Sequence, residues 1–171
     1  KQGGRIYLGI LLTTSIAFLL LAVLGTYSLT GTLTFQAGGV FDASHSPIVL
    51  SVLLVLFCYG IGKAAIMPFH RWLPAAMVAP TPVSALLHAV AVVKAGVFSI
   101  LKVVIYIFGL DTLDEIAATD IMLYIAAATI LISSCIAMTK DNLKARLAYS
   151  TVSQLSYIVV GALLALSLIH I

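Results

Sequence analysis

Runs of about twenty residues with no Asp, Glu, Lys or Arg leave a polypeptide few ways to fold. Ile6 to Leu29 is such a run, and so are Ile121 to Thr139 and Leu147 to Ile171, none of which contains Asp, Glu, Lys or Arg. Two further apolar runs carry isolated charges only. Pro47 to Met67 contains Lys63, and Val83 to Leu110 contains Lys94 and Lys102. A helix needs about 20 apolar residues to cross a hydrocarbon core of roughly 30 Å. Only a helix or a closed barrel satisfies its own backbone in lipid, and none of the runs alternates as a barrel strand would. The expected fold is an all-α polytopic membrane protein with five transmembrane helices, at about 6–29, 47–67 with a short continuation to 78, 83–110, 121–139 and 147–171.

Composition narrows the function classes. Charged residues are 9% of the 171 and hydrophobic ones 62%, whereas a soluble domain is about one quarter charged. The net charge of +3 is spread over loops and forms no basic face. It points to a membrane surface and not to nucleic acid. Cys58 and Cys135 lie in separate apolar runs without a C-x-x-C pair, so both are expected to be buried small hydrophobes. The first run is too long for the apolar core of a signal peptide. Lys1 at the start and the apolar end at Ile171 read as an excerpt of a longer protein, here treated as a single transmembrane bundle fragment, 1–171.

The connections between runs alternate in charge. Lys1 and Arg5 precede the first run, His70 and Arg71 follow the second, and Lys140, Lys144 and Arg146 follow the fourth. The connection from Thr30 to Ser46 has no Lys or Arg, and that from Asp111 to Asp120 is acidic. The basic connections are therefore expected on the cytoplasmic side or its equivalent. A multi-pass location in the cell (inner) membrane follows.

Between the second and third runs stand Pro68, Pro74, Pro80 and Pro82. Proline removes a helical hydrogen bond and clashes with the preceding turn, so the second helix should break near Pro68. A broken backbone at membrane depth is tolerated where it is packed in protein or lines a wet cavity. The other reading of this stretch is an interfacial loop with Trp72 at the headgroups.

A lysine at the bilayer centre costs about 2.5–3.5 kcal/mol on insertion scales. Lys63 and Lys94 lie deep in their runs and are the primary candidates for a proton path. Lys63 is flanked by Gly60 and Gly62, which permit close approach of another backbone. His88 precedes Lys94 by six residues, about 9 Å along a helix axis. An imidazole near neutrality and a desolvated amine both have accessible charge states, which a proton relay needs. Lys102 is close enough to a helix end to reach an interface. With His70 and Lys144 it forms a secondary group of candidates.

Other chemistries lack their residues. Gly60 to Ala64 approximates a phosphate loop without its upstream glycine or its following Ser or Thr. His45, His70, His88 and His170 have no metal-ligand spacing, and no nucleophile has a base with an orienting acid nearby. No catalytic site, cofactor site or metal site is expected within this chain.

Two blocks of sequence go further. The first runs Lys63-Ala64-Ala65-Ile66-Met67-Pro68-Phe69-His70-Arg71-Trp72-Leu73-Pro74, then Ala79-Pro80-Thr81-Pro82-Val83-Ser84-Ala85-Leu86-Leu87-His88-Ala89 and Val93-Lys94-Ala95-Gly96-Val97. The second runs from Asp141 to Leu155. Both resemble the antiporter-like membrane subunits of respiratory complex I and the Mrp-type cation/proton antiporters. The resemblance implies a larger bundle of inverted helical repeats, each with a broken helix, of which this chain would span the sixth to the tenth helix. It places Lys63 at the central lysine of the broken seventh helix, and His88 and Lys94 on the polar axis of the eighth. The glutamate that the family pairs with that lysine belongs to a fifth helix, which precedes this chain.

The function so implied is proton or Na+/H+ translocation across an energy-transducing membrane. Asn142 and the wording from Lys94 to Phe98 place the chain nearer to an Mrp-type antiporter subunit. The alternatives are a proton-pumping membrane-arm subunit of an NADH-quinone oxidoreductase or related hydrogenase, and a purely structural membrane subunit. Expected partners are the lipid bilayer, other membrane subunits, H+ and, as an alternative coupling ion, Na+.

Overall fold

Helices form wherever the uncharged runs lie, because a backbone in lipid has no other partner than itself. A computed structural model describes residues 2–41, 44–77, 80–89 and 92–168, and its regular elements are all helical. Three helices among the described residues are long and apolar enough to cross a membrane: Gly3–Thr30, Ala117–Thr139 and Leu143–Leu164. The chain is an all-α membrane protein.

The first span is α1 (Gln2–Thr13), a π-helical turn (Thr14–Leu19) and α2 (Leu20–Thr30). The π turn begins at buried Thr14, whose hydroxyl donates to the carbonyls of Ile10 at 2.9 Å and Leu11 at 3.2 Å. Such back-bonding competes with the helical ladder and loosens it locally. Gly31, at φ 70°, ends the span with its N–H on the Tyr27 carbonyl.

The stretch expected as the second span starts as α3 (Pro47–Gly60) with proline at its first position, where the missing N–H costs nothing. It is interrupted, as the prolines predict, but the α-helix already stops at Gly60, eight residues before Pro68. Lys63 therefore sits in the break itself. A 3-10 turn (Gly62–Ala64) is followed by left-handed Ala65 at φ 56°, a cis Met67–Pro68 bond and a second 3-10 turn (Phe69–Arg71). Helix α4 (Trp72–Ala76) completes the segment.

The stretch expected as the third span holds α5 (Thr81–Ala89), α6 (Val92–Val103) and a π-helical segment (Val104–Phe108). Short α7 (Leu110–Asp114) leads to α8 (Ala117–Thr139) and α9 (Leu143–Leu168). Asn142 caps α9: its side-chain oxygen accepts the Lys144 N–H at 3.0 Å, the usual service of an N-cap residue. Helices α8 and α9 are joined by Ser134 and Ser153, whose hydroxyls are 2.8 Å apart.

Trp72, Leu54, Leu73, Ile100 and Phe108 are fully buried at the centre of the packing. Cys58 is buried there too, but Cys135 is exposed, which corrects the expectation that both cysteines are interior. Helix α8 packs inward through Met122, Ala126, Thr129, Ser133 and Ala137, and Cys135 lies off that face.

The alternating connections sort to opposite ends. At one end the non-basic loop donates from Val40 N–H to the Ile107 carbonyl at 2.9 Å, and Phe41 packs on Phe108 with centroids 5.2 Å apart. At the other end Tyr7 meets Trp72 at 5.7 Å and His70 meets Tyr149 at 6.2 Å. The chain segments that bear the basic connections are thus neighbours.

Candidate functional site

Breaking α3 frees backbone groups that must find partners inside the protein. Two side chains supply them. The Trp72 indole N–H, buried, donates to the Gly62 carbonyl at 2.9 Å. The Thr129 hydroxyl on α8 accepts the Met67 N–H at 3.4 Å. Trp72 is 0% exposed, so it fastens the break internally and is no headgroup anchor.

The break is also wedged between two backbones. A Cβ on Gly60 would lie 2.6 Å from the Leu19 backbone nitrogen, and one on Gly62 would lie 2.5 Å from the Thr14 hydroxyl. A Cβ on Gly96 of α6 would lie 2.7 Å from the Lys63 carbonyl carbon and the Ala64 nitrogen. The π turn of the first span and the small face of α6 therefore grip the 3-10 turn from both sides, leaving the Lys63 side chain exposed between them. Irregular helical turns of this kind recur at functional sites.

Lys63 opens into a cavity of about 480 Å³. The cavity is polar only at Lys63, Lys102, Ser15 and Ser99, with Phe57 and Phe98 among its apolar walls, and no carboxylate is among its described lining residues. Ser15 belongs to the π turn of the first span, and Ser99 to α6, where its hydroxyl donates to the Ala95 carbonyl at 2.8 Å. The void has room for several waters.

Lys102, half-buried, stands at the other end of this cavity in a nest of rings. Its Nζ lies 4.5 Å from the Tyr106 centroid, 5.6 Å from that of Phe35 and 5.8 Å from that of Phe98. Contacts within about 6 Å attract a cation through the ring quadrupole, by about 0.5–1 kcal/mol when exposed and about 2 kcal/mol when desolvated. Phe98 and Tyr106 are four residues before and after Lys102, one helical turn each way. Phe35 comes from the non-basic loop.

The structure thus brings together Lys63 and Lys102. Lys94 is exposed on α6, two residues before the Gly96 contact, and is not among the described residues that line the cavity. His88 lies on α5, with its side chain outside what the structure describes. His70 is half-buried in the second 3-10 turn. The Pro68 backbone lies near its ring, but Nδ1 is buried without a well-formed hydrogen bond. Lys144 is exposed at the start of α9. The aromatic nest was missed from sequence, although Phe98-x-x-x-Lys102-x-x-x-Tyr106 is a legible helical spacing; Phe35 carried no signal.

Comparison with known proteins gives a consistent result. The family described as "NADH:quinone oxidoreductase/Mrp antiporter, TM" matches residues 4–170. The chain is 35% identical over 150 residues to "NAD(P)H-quinone oxidoreductase subunit 5, chloroplastic" of Lotus japonicus, covering 84% of this chain and 19% of that relative. Proteins of the same description from Chaetosphaeridium globosum and Zygnema circumcarinatum are 39% and 37% identical over 152 and 151 residues, covering 84% of this chain and 22% and 21% of theirs. The chain spans about a fifth of the length of these relatives.

Proposed function

This chain belongs to the NADH:quinone oxidoreductase/Mrp antiporter transmembrane family, and on that premise we propose that it is the part of a proton-translocating membrane subunit that carries one lysine station of the ion path. The observation that carries this reading is Lys63. It sits in the break of an apolar helix and opens into a cavity large enough for water. A lysine in an apolar run of a membrane protein is costly, and here its turn is held by close contacts at Gly96, Gly60 and Gly62 and by the Trp72 indole.

The assembly we favour is an NAD(P)H-quinone oxidoreductase, the name borne by the relatives above. That reverses the order expected from the sequence, in which an Mrp-type antiporter subunit came first. Asn142, one of the residues that favoured the Mrp type, has a local task as the cap of α9. In the proposed mechanism the amine of Lys63 accepts a proton from water in the cavity and releases it when a neighbouring charge changes. His88 and Lys94 are retained as onward stations along α5 and α6. The partners are the bilayer and the remaining membrane subunits, with H+ as the transported ion.

The test is ion movement in vesicles carrying the complete complex, wild type against Lys63→Ala. Loss of at least tenfold in proton uptake, with the complex assembled at normal levels, is the expected result. Unchanged uptake would make Lys63 a structural charge and end this reading.

A further inference from the structure

The cavity extends toward the non-basic side, where a loop ring that lines it packs on a charge. The Lys63 backbone packs at the level of Gly96. Lys102 is six residues further along α6, about 9 Å nearer the non-basic end at the helical rise. There its ammonium meets Tyr106 and Phe98, both on its own span, and Phe35, which is not. Phe35 also contacts Tyr106, with ring centroids 6.4 Å apart at 78°, and lines the cavity.

The loop that carries Phe35 is fastened at a second point. The π-helical segment leaves carbonyls turned outward, and the loop uses them: Val40 N–H donates to the Ile107 carbonyl at 2.9 Å and Gln36 N–H to that of Tyr106 at 3.4 Å. The Gly39 backbone lies so close to Phe108 that a Cβ there would be 2.5 Å from its carbonyl oxygen. The stretch after Gln36 is thus anchored by main-chain contacts. Among the described residues Phe35 itself meets rings and the Lys102 charge, and it remains 57% exposed.

The geometry points to Lys102 as a positioning residue that holds Phe35 as a removable lid over the non-basic end of the Lys63 cavity. The ring nest offers the ammonium a site among apolar walls, and the ammonium in turn holds the ring of a loop that would otherwise point to solvent. Lys102 need not carry a proton itself to serve this role. Its importance for transport rests on the ion-path reading of Lys63; its effect on access does not.

Access is therefore what the experiment measures. Ser99, on the cavity wall between Phe98 and Lys102, is replaced in the complete complex by Ser99→Cys, in a background cleared of other reactive thiols. A small sulfonated methanethiosulfonate reagent, unable to cross the membrane, is added from the non-basic side. Labelling should be at least tenfold faster in Phe35→Ala and in Lys102→Met than with the nest intact. Phe35→Tyr and Lys102→Arg, which keep ring and charge, should restore the slower rate and show that the fold is not what was lost. An unchanged rate in Phe35→Ala overturns the lid, and an unchanged rate in Lys102→Met overturns the role of the charge. Either result stands whatever Lys63→Ala does to transport, so the two readings fail separately.

Discussion

At the scale of single residues, the polar contacts of the break matter because they are made where water is scarce. Trp72→Phe removes the indole donor to the Gly62 carbonyl together with part of a fully buried ring. A buried acceptor left alone costs about 1–3 kcal/mol, so thermal unfolding of the purified complex in detergent should show a lowered midpoint for this subunit. Transport should fall with it, since the freed carbonyl belongs to the residue before Lys63. The chemical identity of Lys63 as a cation within an apolar run was legible in the sequence. The need for Trp72 to serve it was not, because the nine residues between Gly62 and Trp72 fold back on themselves through turns that have no periodic signature.

Among the elements, glycine placement separates helices that touch from helices that do not. Gly96 has no room for a side chain because the Lys63–Ala64 peptide occupies that volume, whereas a Cβ on Gly161 of α9 would meet nothing within 4 Å. Gly161→Ala should stabilise by about 0.5–1 kcal/mol through helix propensity alone. Gly96→Ala gains the same propensity but overpacks the contact, at a cost of about 1–3 kcal/mol. It should therefore destabilise and, by shifting the turn, reduce transport. Paired thermal melts and vesicle uptake for the two variants check this; equal effects would show that the Gly96 contact does not position Lys63. Sequence placed Gly60 and Gly62 as sites of close approach, and the structure identifies what approaches: the π turn of the first span. Proline marked the interruption of the second span but not its start. That start lies at Gly60, where the helix gives way to the fit between neighbouring backbones.

For the molecule as a whole, the sorting of connections is the property most open to test. The non-basic loop packs against the end of the third span, and the basic segments neighbour one another at the opposite end. Thr32→Cys and Lys140→Cys in the assembled complex should therefore react with an impermeant thiol reagent from opposite faces of sealed vesicles. Labelling of both from one face would contradict the alternation of charge on which the orientation rests.

The sequence by itself determined the class of solvent, the helical class of fold, the interruption of the second span and the family. Uncharged length, proline and motif wording are local properties that no packing can alter. Only the tertiary structure decided that Lys63 shares a cavity with Lys102, and that Lys94, deeper in its run than Lys102 and ranked above it from sequence, is not among the residues described around that cavity. Depth in a run measures distance along one helix. A site is made by what two or three helices and a loop bring to the same place, and that depends on rotations and close approaches between segments far apart in the chain.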